Sequence, residues 1–379
     1  MTDATRPRAC ADCLRRSWLI GSLVGHIDKA VDSTPGSRAH ELLALPDEEL
    51  ARALARSSAR SFLAQARERD PEALNTAVAG AGAWATCPHD SLYPEALSAL
   101  GDPPATLFGR GDPARLRELD PSETVTIVGS RRPSRHGREL ARDLGREVAS
   151  AGLPVVSGMA MGIDSAAHEG ALQARGLTVA VLGCGVNVPY PPRSSRLYEE
   201  IVEAGVVLSE LPPGTMARRW TFPARNRIMA ALGRMTVVVE ARERSGSLIT
   251  ATMAEQLNRE VGAVPGRVGS SPAAGTNGLL HDGAHVIRSG QDVLDALIGP
   301  GAAESRIATQ RGPELEENLA GVLDLVERGS SSADALARAS GLEPGPLAAA
   351  LVRLELSGYL RSDSSGRYER TTLSAPEPA

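Results

Sequence analysis

The sequence predicts an α/β fold built on a Rossmann-like, doubly wound and mainly parallel sheet. Seven short apolar runs recur from Thr124 onward, and the first five are rich in valine and bounded by glycine or serine: TVTIVG, LPVVSG, TVAVLG, GVVLSE, MTVVVE, VGAVPG and AHVI. Stretches with helical periodicity separate these runs. Fully apolar strands that alternate with helices are typical of a parallel sheet covered on both faces, and this alternation favours the doubly wound arrangement.

The residues that precede the predicted sheet have the sequence pattern of helices. Five leucines between Leu42 and Leu54 form one apolar side, and Asp70-Pro71 is a typical helix start. We therefore expect a small helical domain over residues 1–100. Residues 101–123 contain turn-rich segments and are predicted to link this domain to the sheet domain at 124–298.

Inside the sheet domain, the first helix has readable ends. Ser134 is expected to cap it and Gly152 to end it. Leu140, Leu144 and Val148 fall on one stripe of this helix, as expected for a helix that packs on a sheet.

The C-terminal part predicts a winged helix. Residues 299–313 are rich in glycine, alanine and proline and are expected to be a second linker. Three segments with apolar residues at helical spacing follow, and a Ser-Ser-Gly turn between two short apolar stretches then predicts a hairpin. Three helices and a hairpin indicate a winged-helix domain over 314–371, with a disordered tail at 372–379.

The charge distribution limits the functions that fit. The 379-residue chain has a net charge of -5, which argues against a generic nucleic-acid binder with a broadly basic surface. Residues 121–240, however, hold 14 arginines against 11 acidic residues, a net of +3. Any nucleic-acid site should therefore be a local patch. Lys29 is the single lysine, so nearly all cationic chemistry comes from arginine, whose planar group suits phosphates and bases.

No targeting or membrane signal is readable. No stretch approaches the roughly 20 apolar residues that span a bilayer, and the N-terminal segment MTDATRPRAC lacks a signal-peptide core. Four cysteines are too few for a disulfide framework at this length. We expect a cytoplasmic protein with no membrane association.

The carboxyl ends of the predicted strands are the expected ligand site, because ligands of open parallel sheets bind beyond those ends. These ends carry Gly129-Ser130-Arg131-Arg132, Ser157-Gly158, Gly183-Cys184-Gly185, Ser209-Glu210 and Glu240. Gly129-Ser130 and Ser245-Gly246-Ser247 precede predicted helices, whose free N–H groups can hold a phosphate. Each could equally be a tight strand-to-helix turn.

Two nucleotide-binding fingerprints are missing. A Walker A motif needs a lysine after its glycines, and the single lysine is Lys29, near the N-terminus. A dinucleotide motif that begins at Gly183 has Val188 at its third glycine position. These departures argue against a P-loop ATPase and against NAD binding, and no cofactor is predicted.

The segment RRWTFPARNR, residues 218–227, is the strongest nucleic-acid signal. It places four arginines and two aromatic residues within ten positions, in a chain with only 3% aromatic residues. Arginines can contact phosphates while an aromatic ring stacks on a base, worth about 1–3 kcal/mol per base. The alternative is that Phe222 is a core residue and that Arg225 or Arg227 pairs with Glu210 or Glu240.

Two further patterns carry weaker signals. Asp164 and His168 stand four apart on a predicted helix and could form an acid–base pair, but a structural role is favoured because no nucleophile or metal ligand lies nearby. Cys10 and Cys13 form a CxxC pair that Cys87 and His89 could complete as zinc ligands. One CxxC is weak support and the second pair is distant, so no metal site is predicted.

Seven long motifs occur in the following order over about residues 90–297: GSRRPSRHG, SGMAMGIDSAAHEGAL, LGCGVNVPYP, LSELPPG, FPARNRIMAAL, EARERSGSLITATMAEQLN and GTNGLLHDGA. These motifs and their order closely resemble the DNA-processing protein A family, also called Smf. The resemblance implies a non-enzymatic, single-stranded DNA-binding core that acts in natural transformation (competence) and DNA recombination. It further implies that the protein protects incoming DNA, loads the recombinase RecA onto it and acts as a homodimer. The flanking regions match the family's accessory domains more loosely, the N-terminal one being of the sterile-alpha-motif or helix-hairpin-helix kind.

The resemblance also implies individual DNA contacts. The family's GSR arginine matches Arg131, and its phenylalanine in FPxRNR and the basic residue three before it match Phe222 and Arg219. With the sheet-edge and arginine-rich segments, the residues predicted to bind DNA are Gly129, Ser130, Arg131, Arg132, Gly158, Arg218, Arg219, Phe222, Arg225, Asn226, Arg227, Ser245, Gly246 and Ser247. Met161 stands where the family usually has an arginine, so one phosphate contact is missing.

Two other functions are weighed against this one. A nucleotide-processing Rossmann enzyme of the nucleoside-monophosphate phosphoribohydrolase type needs a PGGxGT loop and a glutamate, whereas this chain has SGSLIT there, with Glu255 five residues on. A transcription factor would act through the winged helix, but its third helix offers only Arg353 as a cation. We expect the winged helix to contact protein or to be structural.

Overall fold

The computed structural model of the chain describes residues 7–33, 39–300, 315–362 and 366–370. The chain divides into two units, Met1–Ile298 and Gly299–Ala379. The first contains a nine-stranded, mostly parallel sheet with helices, and the second contains a helical bundle with a hairpin. The predicted fold class is confirmed. Among the described residues, no helix combines the length and the apolar character that crossing a bilayer requires.

The N-terminal region is helical, as predicted. Its helices are α1 (Ala11–Ser33), α2 (Ala39–Leu43), α3 (Asp47–Ala55), α4 (Ala59–Glu68) and α5 (Pro71–Gly80). Asp70 caps α5, and its carboxylate accepts hydrogen bonds from the backbone N–H groups of Glu72 and Ala73. Leu19 and Leu23 of α1 share a buried cluster with Trp220, so the N-terminal helices pack directly on the sheet-bearing part. The sterile-alpha-motif or helix-hairpin-helix kinship stays a prediction.

The central sheet contains every strand that the apolar runs predicted, plus two more. In chain order the strands are β1 (Trp84–Thr86), β2 (Leu107–Gly111), β3 (Val125–Val128), β4 (Val155–Ser157), β5 (Thr178–Val181), β6 (Val206–Ser209), β7 (Met235–Val238), β8 (Glu260–Ala263) and β9 (His285–Val286). Their order across the sheet is β1-β2-β6-β5-β4-β3-β7-β8-β9. In this order across the sheet, every neighbouring pair in the run β6-β5-β4-β3-β7-β8-β9 is parallel.

Strands β1 and β2 were missed by the sequence analysis, which placed residues 84–86 in the helical domain and 107–111 in the linker. They form an antiparallel edge, β1 on β2 and β2 on β6. The sequence of β2, LFGRG, contains two glycines and is typical of a turn. Gly109 faces Trp84 across the pair, and a Cβ there would lie 2.2 Å from the indole ring. The glycine is therefore a packing requirement and not a chain break, and the sheet extends back to Trp84.

Helices cover the parallel part of the sheet. They are α6 (Arg135–Ser150), α7 (Ile163–Gln173), α8 (Ser195–Ala204), α9 (Thr221–Leu232), α10 (Gly246–Gln256), α11 (Ala274–His281) and α12 (Gly290–Ile298). Ser134 caps α6 as predicted, because its Oγ accepts a hydrogen bond from the N–H of Gly137. Gly152 follows the end of α6 with a φ of 82°, in the left-handed region that favours glycine.

The direction in which strands are added reverses once. After β3 the chain adds β4, β5 and β6 on one side, and it then returns to add β7, β8 and β9 on the other side. Strands β3 and β7 are parallel neighbours along their full length. Because their connections leave in opposite directions, a crevice opens beyond their carboxyl ends, where ligands of such sheets bind.

The second unit has the predicted winged-helix elements. They are α13 (Glu317–Glu327), α14 (Ala333–Ser340), α15 (Pro344–Leu356), β10 (Leu360–Ser362) and β11 (Tyr368–Arg370). Leu323, Leu336 and Leu354 meet Tyr359 in one buried cluster. Most of the predicted linker at 299–313 and the whole predicted tail at 372–379 lie outside the described residues.

We predict that Gly109→Ala destabilises the sheet edge by about 1–3 kcal/mol, the usual cost of overpacking. The added methyl would meet the ring of Trp84. The midpoint of urea unfolding measures the effect. Gly101→Ala is the matched control, because a Cβ at Gly101 has nothing within 4 Å. Equal midpoints for the two variants would show that the strand pair accepts a side chain at this position.

Candidate nucleic-acid interface

A cavity of about 710 Å³ lies at the crevice beyond β3 and β7. Its wall comes from the loop after β3, the first turns of α9 and the segment that leads into α10. Six arginines line it: Arg131, Arg132, Arg219, Arg225, Arg242 and Arg244. Among the described residues of this wall, Asp164 is the one acidic side chain. The cavity is therefore a local basic site on a chain whose net charge is negative.

The loop after β3 is fixed by its backbone. The N–H of Ser130 donates to the carbonyl oxygen of Glu240 at 2.7 Å, and the carbonyl oxygen of Ser130 accepts from Ile163 at 3.2 Å. A Cβ at Gly129 would lie 2.7 Å from Ile163 and 3.0 Å from the Glu240 carbonyl oxygen, so this close approach requires glycine. The fixed loop presents Arg131 and Arg132 as exposed side chains on the cavity wall.

The carboxylate of Glu240 holds the beginning of α6. It is buried and accepts from the backbone N–H of Ser134 at 3.1 Å and from the Ser134 hydroxyl at 2.7 Å. A carboxylate near the first turn of a helix is also favoured by the helix dipole. Glu240 is thus bound to α6 and does not pair with Arg225 or Arg227, which was one alternative for these arginines.

Two aromatic rings and an arginine form a row beside the cavity. The guanidinium carbon of Arg131 lies 4.9 Å from the ring centroid of Phe222, and the ring centroid of Tyr190 lies 5.5 Å from that of Phe222. Tyr190 is 40% exposed. The three side chains also border a narrow crevice of about 60 Å³ that reaches Met161. Phe222 is therefore accessible, and the sequence analysis missed Tyr190 although it follows β5 in a sequence with few aromatics.

The segment that leads into α10 supplies hydrogen-bond donors. The hydroxyl of Ser245 accepts from the N–H of Ser247 and caps the helix, which begins directly after it as the sequence predicted. The side-chain amide of Asn226 donates to the carbonyl oxygen of Gly246 at 3.3 Å and holds this turn against α9. Ser245, Gly246 and Ser247 all line the cavity. Asn226 lines it as well, although its amide is used to position the turn.

Arg242 and Arg244 also line the cavity, and the sequence analysis did not select them. Both are exposed and lie between β7 and α10. The sequence could have indicated them, because both arginines lie within three residues before the Ser245-Gly246-Ser247 turn.

Arg225 forms part of the cavity floor and is only 4% exposed. Its Nη1 donates to the carbonyl oxygen of Val181 at 2.7 Å, and its Nη2 lies 3.9 Å from Asp164. A Cβ at Gly158 would lie 1.6 Å from the same Nη1, so Gly158 makes room for the guanidinium. Burial lowers the pKa of Arg225 to about 10 against the opposing effect of Asp164, and the group stays charged at neutral pH.

Arg227 does not lie at the cavity, contrary to the sequence prediction. It is buried, its Nη1 and Nη2 donate to the two oxygens of Glu210 at 2.9 and 2.7 Å, and its Nε donates to Asp102 at 2.8 Å. Two carboxylates thus occupy its donors on the opposite side of α9 from Arg225. The alternative pairing with Glu210 is the correct one, and the predicted phosphate contact is wrong.

The two arginines that open the RRWTFPARNR segment also differ. Arg219 is exposed and lines the cavity, and its contact with DNA stays a prediction. Arg218 lies outside it, and its Nη1 is 3.6 Å from the carboxylate of Asp28 in α1. The predicted contact of Arg218 with DNA therefore has no support from its position.

Asp164 and His168 do not pair with one another. The Nδ1 of His168 lies 2.7 Å from the hydroxyl of Thr178, whereas Asp164 faces Arg225. Burial lowers the pKa of His168 to about 3, so the ring is neutral at physiological pH. This geometry agrees with the structural role that the sequence analysis favoured.

Comparison with known proteins gives concordant matches. Residues 84–298 match the family model described as DNA recombination-mediator protein A, and residues 306–366 match that of the DprA winged helix domain. The first match begins at β1, the strand that the sequence analysis missed. Protein Smf of Synechocystis is 32% identical over 342 residues, or 82% of each chain. The putative DNA processing protein DprA of Mycobacterium tuberculosis is 38% identical over 80% of this chain and 75% of its own.

Two solved structures are similar at 33% identity. DNA processing protein A from Streptococcus pneumoniae matches with a TM-score of 0.60, over 76% of this chain and 96% of its own. The Helicobacter pylori protein, solved for insight into its single-stranded DNA binding mode, matches with a TM-score of 0.50, over 54% of this chain and 93% of its own.

We predict that Arg227→Met lowers the free energy of unfolding by about 3–5 kcal/mol, because it removes a guanidinium from between two largely buried carboxylates. Arg132→Ala, at an exposed position, should change it by less than about 0.5 kcal/mol. Urea unfolding of both variants makes the comparison. A small effect for Arg227→Met would contradict the structural assignment of this arginine.

Proposed function

The chain belongs to the DNA recombination-mediator protein A family, and from this membership we propose that it binds single-stranded DNA in the cavity beyond β3 and β7, protects it and loads RecA onto it. The observation that supports this most is the composition of the cavity wall, with six arginines against one aspartate and an accessible aromatic row. We propose that the protein acts by binding and not by catalysis.

Phosphate capture is the first part of the proposed mechanism. Five cavity arginines are exposed and can reach the strand: Arg131, Arg132, Arg219, Arg242 and Arg244. Arg225 lies behind them with Asp164, and the two charges largely offset one another. The N-terminus of α10 adds backbone N–H groups and the positive end of a helix dipole. Phosphate contacts carry no sequence information, so the strand is held regardless of its bases.

Base stacking is the second part, and it accounts for a preference for single strands. Phe222 and Tyr190 offer ring surface next to the arginines. Bases in a duplex are already stacked, whereas those of a flexible single strand can turn onto a protein ring. Every base has a π-face, so stacking of this kind also tolerates any sequence. A short basic cavity with adjacent rings therefore suits a single strand better than a broad duplex.

The proposed partners follow from the family resemblance, and the proposed compartment follows from the sequence, in which no targeting signal is readable. We propose that the protein acts as a homodimer in the cytoplasm and that it passes the bound strand to RecA. The winged helix is not the proposed DNA-reading element, because Arg353, the single cation of α15, donates to both oxygens of Glu316 at 2.9 and 2.7 Å. This occupied arginine supports a protein-contacting or structural role for that unit.

A nucleotide-processing enzyme is the rival function for the same cavity. Such an enzyme would use Glu255 as its catalytic glutamate, but Glu255 is exposed and does not line the cavity. Glu240 is bound to Ser134, and Asp164 is buried beside Arg225. No carboxylate that lines this described wall is placed as a general base toward open space. Release of a free base from nucleoside monophosphates, followed by chromatography, would favour the rival.

We predict that Arg131→Ala weakens binding of all single-stranded sequences alike. Five phosphate contacts at about −0.7 each give a slope of log affinity against log salt near −3.5, and the variant should lose about 0.7 of it. Fluorescence anisotropy of labelled strands, over a salt series and against duplex competitor, measures both quantities.

In gel shifts we expect RecA to join the complex that the protein forms on a single strand.

The matched control is Arg196→Ala, which removes the same charge from an exposed position outside the cavity. Its affinity and salt slope should equal those of the unaltered protein. Equal losses in the two variants, or an affinity that does not change with salt, would rule out the cavity as the binding site.

We also predict that Met161→Arg strengthens binding and makes the salt slope steeper by about 0.7, because it adds one phosphate contact. Met161 is 43% exposed and borders the crevice beside Phe222 and Tyr190. Met216→Arg, at an exposed position away from the cavity, is the control. A gain of equal size in both would indicate a general effect of charge.

A further inference from the structure

Three cysteines and one histidine from distant parts of the chain meet at one point. Cys10 and Cys13 lie at the beginning of α1, whereas Cys87 and His89 follow β1. The Sγ atoms of Cys10, Cys13 and Cys87 lie 3.5, 3.7 and 3.7 Å from Nδ1 of His89. All four potential ligand atoms lie within 4.8 Å of one another. The proposed DNA site does not involve this cluster.

The distances agree with tetrahedral zinc coordination. Zinc binds sulfur at about 2.3 Å and nitrogen at about 2.0–2.1 Å, so the tetrahedral angle separates a sulfur from a nitrogen ligand by about 3.6 Å. The three sulfur-to-nitrogen distances bracket this value. The three sulfurs therefore already stand at the distance from the imidazole nitrogen that one ion requires.

The surroundings also fit a structural metal site. The backbone N–H of Cys10 points to Sγ of Cys87 at 3.4 Å, the kind of outer contact that orients a thiolate ligand. Cys87 is buried and packs with Leu14 and Phe108, whereas His89 is exposed and leaves a path for the ion. All four cysteines of the chain are free thiols, so no disulfide competes for these sulfurs.

We propose that Cys10, Cys13, Cys87 and His89 bind one Zn²⁺ ion as a closed, structural site. Four protein ligands leave no open position for substrate, which distinguishes structural from catalytic zinc. Three thiolates and an imidazole at single-ion spacing favour zinc over an iron–sulfur cluster, which is held mainly by four thiolates.

The ion joins the beginning of α1 to the short edge strand β1, across a sequence separation of 77 residues between Cys10 and Cys87. Farther along, α1 packs on Trp220 and brings Asp28 to Arg218, and both contacted residues lie within the arginine-rich segment 218–227. The metal thus fixes one end of the helix that supports this segment. Strand β1 is only three residues long, and the proposed ion would tie the chain just after it to α1.

The test is the metal content of the full chain, purified under reducing conditions without chelator and without a metal-affinity tag. Elemental analysis should find about one zinc per chain. Cys13→Ser and His89→Ala should lose it. Cys184→Ala, a buried cysteine outside the cluster, and His281→Ala, an exposed histidine, should retain it. Zinc in all four variants alike would overturn the assignment.

Cobalt substitution keeps the test decisive if the ligand variants do not fold. The unaltered protein, stripped of metal and given Co²⁺, should show the thiolate-to-cobalt and tetrahedral absorption bands, which Zn²⁺ then abolishes. Chelation should also lower the melting temperatures of the unaltered protein and of Cys184→Ala by similar amounts, and added zinc should restore both. Absence of both zinc and the cobalt spectrum, iron in place of zinc, or a Cys10–Cys13 disulfide under reducing conditions would each overturn the proposal.

Discussion

The parallel contact between β3 and β7 is the constraint on which the functional region depends. Because the chain leaves these two strands in opposite directions, the sheet opens there and nowhere else among its described parallel pairs. Glu240 makes two contacts at the base of this opening. Its carbonyl oxygen accepts a hydrogen bond from Ser130, and its carboxylate accepts hydrogen bonds from Ser134. One residue thereby fixes both the loop that presents Arg131 and the first turn of the helix that follows it. The basic cavity is a consequence of this strand order, and the surrounding side chains give it its chemistry.

The arginines of this region divide into two groups by burial. A buried guanidinium is tolerated only where hydrogen bonds and an opposite charge replace water. Arg227 meets this condition through Glu210 and Asp102, whereas Arg225 meets it only in part, because Val181 and Asp164 contact its Nη atoms and its buried Nε has no hydrogen-bond partner among the described residues. The exposed arginines have no such requirement and keep donors for a ligand. Arg225 and Arg227 are both buried, but they lie on different sides of α9, and of the two only Arg225 lines the cavity.

The sequence was sufficient for the repeating part of the structure and for the place of the candidate site. Apolar runs long enough to fill a parallel sheet identified β3 to β9, and Ser134 and Asp70 marked helix starts correctly. It failed where the decisive contact is distant in the chain. The glycines of β2 are typical of a turn until Trp84 is seen to pack on Gly109. The partners of Arg227 and the meeting of Cys13 with His89 are likewise set by tertiary structure, over separations that no local pattern records.

The contact between Arg131 and Phe222 has a consequence for how a strand would enter. A guanidinium that covers a ring face prevents a base from lying on that same face. Uncovering it costs a cation–π contact of about 0.5–1 kcal/mol, whereas a stacked base returns about 1–3 kcal/mol. The released guanidinium is then free to meet the phosphate of the incoming nucleotide. A ligand with both a base and a phosphate can stack on Phe222 and pair with Arg131. A ligand with only a ring or only an anion gains one of these two contacts but still disrupts the Arg131–Phe222 contact. In the proposed binding mode, the resting contact therefore favours a ligand that brings a base and a phosphate together.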